Sequence, residues 1–130
     1  MKIIFVDDSQ IVLDTLKSLV QDMIDTQMIT CEFLNDSTLV KKLLTTEKLE
    51  YNVMFVDINM PNVSGYDLAK CAKNINKYKY KSIIAITSEY NTEAKKQGSE
   101  SGIDGWFVKS ITQDSLQTSI VEIIKQLYKK

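Results

Sequence analysis

The sequence contains no histidine and no arginine. The first absence excludes histidine as a general base, as a metal ligand and as a carrier of a phosphoryl group. The second absence excludes arginine fingers, the cationic side chains that assist many phosphoryl transfers. Any chemistry must therefore use carboxylates, lysines, hydroxyls or thiols.

Cysteines and long apolar runs are scarce. Cys31 and Cys71 lack the CxxC spacing of redox and metal sites, so we expect two buried core thiols in a reduced, cytoplasmic protein. No run approaches the ~20 apolar residues of a membrane span. The acidic pair Asp7 and Asp8 comes too early for the apolar region of a signal peptide. We therefore expect no membrane insertion.

The charges nearly cancel, since 17 acidic residues face 16 lysines. The chain thus lacks the positive field that draws proteins to nucleic acid. We interpret the basic and aromatic stretch 77–81 as a solvated connection. The length of 130 residues, 44% of them hydrophobic, predicts one domain over residues 1–130 that folds without disulfides or structural metal. We expect it to be a monomer.

Four continuous apolar runs predict strands that are buried on both faces of a parallel sheet. They cover residues 3–6, 53–56, 83–86 and 106–108. A fifth segment, 29–34, alternates apolar and polar residues, as a half-exposed edge strand does.

Helical periodicity separates the strands. The predicted helices cover about 9–27, 37–46, a short stretch after Gly65, 91–101, and 112–127 with Thr112 as its cap. The helix over 91–101 is the weakest, because it offers little beyond Ala94 to bury and contains Gly98. We expect it to be marginal and mobile. The alternation predicts an α/β fold, a doubly wound five-stranded parallel sheet flanked by five helices.

Each buried run ends in a group able to do chemistry. These groups are Asp7 and Asp8 after the first strand, Asp57 after the third, Thr87 after the fourth and Lys109 after the fifth. Ligands of open α/β sheets bind outside the carboxyl ends of the strands. We therefore expect these five side chains to meet in one crevice.

Three crowded carboxylates create a demand for a divalent cation, and this hard oxygen set selects Mg²⁺. Because Mg²⁺ usually shares its ligands with phosphate oxygens, Asp57 is the candidate nucleophile toward a phosphoryl group. Lys109 and the Thr87 hydroxyl would neutralise and hydrogen-bond the remaining phosphoryl oxygens. The residues predict an aspartyl phosphate.

Four motifs carry a family resemblance. They are Val6-Asp7-Asp8-Ser9, Val56-Asp57-Ile58-Asn59-Met60-Pro61-Asn62-Val63-Ser64-Gly65, Ile86-Thr87-Ser88-Glu89 and Gly105-Trp106-Phe107-Val108-Lys109. Together they resemble the receiver domain of two-component response regulators over the whole chain. The second motif most closely resembles single-domain chemotaxis regulators. The resemblance implies a flavodoxin-like sheet with strand order 2-1-3-4-5.

The resemblance also implies roles at the site. Asp57 would accept a phosphoryl group from the phosphohistidine of a sensor kinase. Mg²⁺ would be held by Asp7, Asp8, Asp57 and the backbone carbonyl of Asn59. Thr87 and Lys109 would contact the phosphoryl group.

The family's switch and its decay are implied in the same way. Thr87 would move toward the phosphoryl group while Trp106 turns inward, so that Trp106 fluorescence reports activation. Asn59 and Glu89 would tune the lifetime of the phosphorylated state, and a polar and acidic pair of this kind goes with a short lifetime.

One position departs from the family pattern. Ser110 follows Lys109, where the family usually has a proline joined by a cis peptide bond. A cis bond before a residue other than proline costs about 2.5–4 kcal/mol. We therefore predict a trans Lys109–Ser110 bond and a shifted loop, on which the aim of Lys109 depends.

The implied protein is a phosphoacceptor in signalling and not an enzyme. Phosphorylation would alter the surface formed by the 91–101 helix, Trp106 and the last helix, which then binds a flagellar switch or a phosphotransfer protein. The alternatives are a receiver fragment of a larger regulator, a phosphate-independent adaptor and a haloacid-dehalogenase-type phosphatase. The phosphatase needs a second aspartate where Asn59 stands. A flavin site is disfavoured because Asp7 and Asp8 would repel phosphate.

Overall fold

Five strands alternate with five helices in the computed structural model, which describes residues 1–88 and 91–127. The elements are β1 (Lys2–Val6), α1 (Gln10–Asp25), β2 (Thr30–Leu34), α2 (Ser37–Thr45), β3 (Val53–Asp57), α3 (Gly65–Lys73), β4 (Ser82–Thr87), α4 (Thr92–Ser101), β5 (Gly105–Val108) and α5 (Gln113–Leu127). All paired strands are parallel, in the order β2-β1-β3-β4-β5. The predicted doubly wound α/β fold is confirmed, with element ends within two residues of those predicted.

The sheet separates two apolar cores. Alternate residues of the central strands point to opposite faces, so that Ile4 and Met54 pack beneath α2 and α3, while Phe5 and Phe55 pack beneath α1 and α5. β1 and β3 are buried on both faces, as their continuous apolar runs predict. These two strands are neighbours in the middle of the sheet, and their carboxyl ends therefore lie side by side.

Helix caps fix the loops at this end of the sheet. The Ser9 hydroxyl accepts a hydrogen bond from the Val12 N–H, so α1 begins directly after the acidic pair of β1. Ser64 and Asp67 form a capping box at the start of α3, which anchors the loop that follows β3. Thr112 accepts from the Ser115 N–H and caps α5, as predicted.

Three burial predictions were wrong. β5 is a half-exposed edge strand, because it has a neighbour on one side only and Val108 is 50% exposed. Cys31 and Cys71 are free thiols as expected, but both are half-buried. The stretch 77–81 is not a simple solvated connection, since Tyr78 is fully buried.

The weakest predicted helix is present as α4. Its N-cap is Asn91, and it ends at Gly102, whose positive φ is suited to glycine. It buries Gly98 and Ser101, and the half-buried Ala94 lies on the same face, since positions i, i+4 and i+7 share one side of a helix. Its buried face consists of small residues.

Among the described residues, no helix combines the length and the hydropathy that a transmembrane span requires.

The tyrosine pair beneath the sheet gives a test of the core. The Tyr51 and Tyr78 rings stack with their centroids 5.4 Å apart. The Tyr78 hydroxyl donates to the Leu49 carbonyl at 2.9 Å and accepts from the Leu49 N–H at 3.2 Å. The Tyr51 hydroxyl is buried without a hydrogen-bond partner.

We expect Tyr78→Phe to lower the free energy of unfolding by about 1–3 kcal/mol, because it leaves two buried backbone groups unpaired. Tyr51→Phe is the matched control and should be neutral or slightly stabilising, since it removes a buried hydroxyl that has no partner. Urea unfolding measures both. Equal losses for the two variants would contradict this assignment.

Candidate functional site

Two buried carboxylates lie side by side at the carboxyl ends of β1 and β3. Asp7 is 1% exposed and Asp57 is 2% exposed. One oxygen of each is fixed by the turn that follows its strand: Asp7 Oδ1 accepts from the Ser9 N–H at 2.9 Å, and Asp57 Oδ1 accepts from the Asn59 N–H at 3.2 Å. The second oxygen of each carboxylate, Oδ2, is left for other partners.

Lys109 reaches both of these second oxygens. Its amine lies 3.7 Å from Asp7 Oδ2 and 3.6 Å from Asp57 Oδ2. The Lys109 N–H donates to the Thr87 carbonyl at 2.7 Å, which ties the end of β5 to the end of β4. Thr87 itself is 2% exposed at this edge. The side chains predicted to meet from separate strands are therefore brought to one crevice.

The acidic group has the features of a cation site. Asp7, Asp8 and Asp57 offer carboxylate oxygens that all lie within 4.8 Å of one another. Asp7 Oδ2 is buried and accepts no hydrogen bond. A buried carboxylate oxygen without a donor is costly unless a cation neutralises it, and the single amine of Lys109 is shared between two carboxylates. The residues present therefore fit a divalent cation.

The titration of Asp7 reflects the same crowding. Burial raises the pKa of Asp7 above its usual value, and the negative charges of Asp57 and Asp8 add to this effect. The hydrogen bond from the Ser9 N–H and the charge of Lys109 lower the pKa but do not cancel the rise. The surroundings thus disfavour the ionised form of Asp7, and a nearby positive charge would reduce this penalty.

The loop after Lys109 differs from the family pattern as expected. The Lys109–Ser110 bond is trans, which confirms the prediction. Ser110 adopts a positive φ of 92°, a region that residues other than glycine rarely occupy. With this trans bond, the Lys109 amine lies within ion-pair distance of both carboxylates.

A polar cleft of about 260 Å³ adjoins the crevice. Asn59 and Thr87 line one side of it, and Asn91, Ala94 and other residues of α4 line the opposite side. The predicted partner of Asn59 in tuning the lifetime, Glu89, lies outside the described residues. The cleft therefore places α4 next to the acidic crevice.

Sequence reasoning named Trp106 as a switch residue but missed two contacts that hold α4. The Tyr66 hydroxyl donates to the Ala94 carbonyl at 3.4 Å. Gly98 lies against the ring of the half-buried Trp106. The size of Trp106 was the available signal, because an indole at a position that usually holds a smaller ring requires a small neighbour.

The chain matches the family described as response regulator receiver domain over residues 3–121. It belongs to this family. The chemotaxis protein CheY of Pseudomonas aeruginosa is 25% identical to it over 98% of each chain. Stress response regulator protein 1 of Candida tropicalis is 31% identical over 70% of this chain, and this chain spans about a third of that relative's length, since the match covers 34% of it.

Solved structures show the same fold. Chemotaxis protein CheY4 of Vibrio cholerae superposes with a TM-score of 0.81 and 25% identity, over 94% of this chain and 97% of that one. The receiver domain of the sensor histidine kinase PA1611 of Pseudomonas aeruginosa superposes with a TM-score of 0.80 and 15% identity, over 95% and 96% of the two chains. That structure has a magnesium ion in its active-site cleft. Receiver domains bind Mg²⁺ at an acidic pocket and interact with histidine kinases and downstream targets.

Neutralising Asp7 tests the electrostatics of the site. In the absence of metal at neutral pH, we expect Asp7→Asn to raise the free energy of unfolding by about 1 kcal/mol. Two like charges 4 Å apart near a protein surface repel by about 4 kcal/mol, and Lys109 offsets part of this repulsion. This gain in stability should disappear as the pH falls toward the usual carboxyl pKa, because Asp7 then binds a proton in both the folded and the unfolded wild-type protein.

Thermal unfolding with and without Mg²⁺ measures both effects. Mg²⁺ should stabilise the wild-type protein and leave Asp7→Asn nearly unchanged. Asp114→Asn, at an exposed position on α5, is the matched control that should keep the response to Mg²⁺. A metal-free Asp7→Asn protein less stable than the wild type would contradict the assignment.

Proposed function

We propose that this receiver domain accepts a phosphoryl group on Asp57 from the phosphohistidine of a sensor histidine kinase. A carboxylate oxygen of Asp57 attacks phosphorus, the phosphorus–nitrogen bond to histidine breaks, and an aspartyl phosphate forms. Water later attacks phosphorus and releases inorganic phosphate. The protein is a phosphoacceptor that assists its own phosphorylation and dephosphorylation, and not an enzyme acting on a separate substrate.

The arrangement of Lys109 carries this proposal. Its amine is nearly equidistant from Asp7 Oδ2 and Asp57 Oδ2, at 3.7 and 3.6 Å. From this position it can hold positive charge against a phosphoryl group that arrives on Asp57. The buried Thr87 at the end of β4 would supply a hydroxyl to the same group.

Asp7, Asp8, Asp57 and the carbonyl of Asn59 would hold Mg²⁺. A bound Mg²⁺ would supply positive charge that neutralises the phosphoryl oxygens. Asp7 Oδ2 supports this assignment, because it is buried and accepts no hydrogen bond. Hydrogen bonds from Ser9 and Asn59 to the two buried carboxylates keep these carboxylates oriented whether or not the cation is present.

Thr87 and Trp106 form the switch in this proposal. Thr87 moves toward the phosphoryl group, and Trp106 turns inward. The cleft between Thr87 and α4 supports such a coupling, because a movement of Thr87 would change the shape of a cleft that α4 also lines. The surface of α4, β5 and α5 then presents a different face to a partner protein.

The chemotaxis type of regulator is favoured for the output. The CheY relative matches over 98% of both chains, which supports a receiver that acts on a flagellar switch. The Candida relatives support the second candidate, a receiver within a longer regulator or phosphorelay, because the match covers about a third of their length. We further propose that residues 1–130 form a single domain, a monomer that works without nucleic acid.

Intact mass after incubation with a small-molecule phosphodonor and Mg²⁺ tests the phosphoryl chemistry. We expect one phosphoryl adduct that is lost on removal of Mg²⁺ and is absent from Asp57→Asn. Asp114→Asn removes an exposed carboxylate of α5 and should keep the adduct. A folded wild-type protein that takes up no phosphoryl group would refute the proposal and favour a phosphate-independent adaptor.

The lifetime of the adduct tests the roles of Asn59 and Glu89. We expect the double variant Asn59→Ala/Glu89→Ala to lose its phosphoryl group at least several-fold more slowly, because these two positions border the attacking water in the proposed arrangement. The control is Asn76→Ala/Glu100→Ala, which removes the same two side-chain types at exposed positions on other elements. An unchanged decay rate would exclude this role.

A further inference from the structure

The ring of Trp106 occupies the space where any side chain at Gly98 would begin. A Cβ built on Gly98 would lie 2.1 Å from Cζ2 and 2.7 Å from Cη2 of the indole. Real Cβ atoms do not approach other atoms this closely, and the indole is rigid. The observed position of Trp106 therefore requires glycine at residue 98.

Glycine is an unfavourable choice at this place for the helix itself. Gly98 lies inside α4, where glycine is the worst helix former apart from proline. Its backbone is also held firmly, because the Gly98 carbonyl accepts from the Ile103 N–H at 2.9 Å within the cap that ends α4. A local shift of the helix away from the ring would strain this hydrogen bond.

Trp106 covers one of the two buried residues of α4. Gly98 and Ser101 are the buried residues of this helix, and its other residues are half-buried or exposed. Toward its N-terminus, α4 is held by the long hydrogen bond from Tyr66 to the Ala94 carbonyl. Departure of the indole would expose the Gly98 backbone to water.

We infer that Gly98 is the residue that sets the resting position of Trp106, and that the packing of α4 therefore depends on where the indole lies. The ring packs directly against the backbone of Gly98, which carries no side chain. A side chain at residue 98 displaces the ring without any phosphoryl group. This inference uses the proposed function only for its last step, the response to phosphorylation.

Trp106 is the single tryptophan of the chain, so its fluorescence reports its position directly. In the metal-free, unphosphorylated protein, we expect Gly98→Ala to shift the emission maximum and to change quenching by acrylamide. Ser99→Ala is the matched control, since it also replaces a weaker helix former by alanine, at an exposed position of α4. It should leave the fluorescence unchanged.

Thermal unfolding separates the steric effect from helix propensity. In a Trp106→Ala background, Gly98→Ala should raise Tm by about 4 °C, because a helix with alanine is more stable when the ring is absent. In the wild-type background the same change should give no rise. Identical rises in both backgrounds, together with unchanged fluorescence, would overturn the inference.

Folding failures are also decisive. If Gly98→Ala does not fold, the double variant Gly98→Ala/Trp106→Ala should fold, and a failure of both would overturn the steric account.

A phosphoryl mimic tests the last step. With Mg²⁺ and beryllofluoride as this mimic, Trp106 emission should change less in Gly98→Ala than in the wild type, because the ring is already displaced from Gly98. A wild-type protein that takes up no phosphoryl group would refute the proposed function, while the metal-free fluorescence would still decide the role of Gly98.

Discussion

The placement of two buried carboxylates side by side in the middle of the sheet is the constraint on which the rest of the site depends. Asp7 and Asp57 are buried because β1 and β3 are adjacent and end together. Charges this close repel in a medium of low dielectric, so the site needs positive charge. Lys109 supplies one such charge from the edge of the sheet. Any change in the charge on Asp57 must therefore alter the interactions of Lys109 and of the strand end that carries it.

The rigid and the labile parts of the molecule are separated. The central strands are buried on both faces, and the helices α1 and α5 pack large apolar side chains beneath them. α4 packs with small residues, and a single indole covers its backbone. A segment with so little buried apolar surface opens at a small free-energy cost, so a modest change at the site can move it. In the proposed switch, the sheet is therefore the fixed frame and α4 is the movable part.

Local patterns were sufficient for most of the architecture. The continuous apolar runs of β1 and β3 identified the central strands, and polar residues at their ends identified Asp7 and Asp57 before any coordinates. Patterns failed where a neighbour decides burial. β5 has an apolar sequence but lies at an edge, and Tyr78 stands among lysines but is buried against Tyr51. Apolar content describes a segment, whereas burial depends on what covers it.

The sequence by itself determined the fold class, the elements and the residues that gather at one edge of the sheet, because a parallel α/β arrangement brings every strand's carboxyl end to the same side. Only the tertiary structure decided how the Lys109 amine is shared between two carboxylates, how Ser110 turns the following loop, and why Gly98 stands inside a helix. Each of these depends on atoms from different elements meeting in space. Periodicity along one segment carries no information about such contacts.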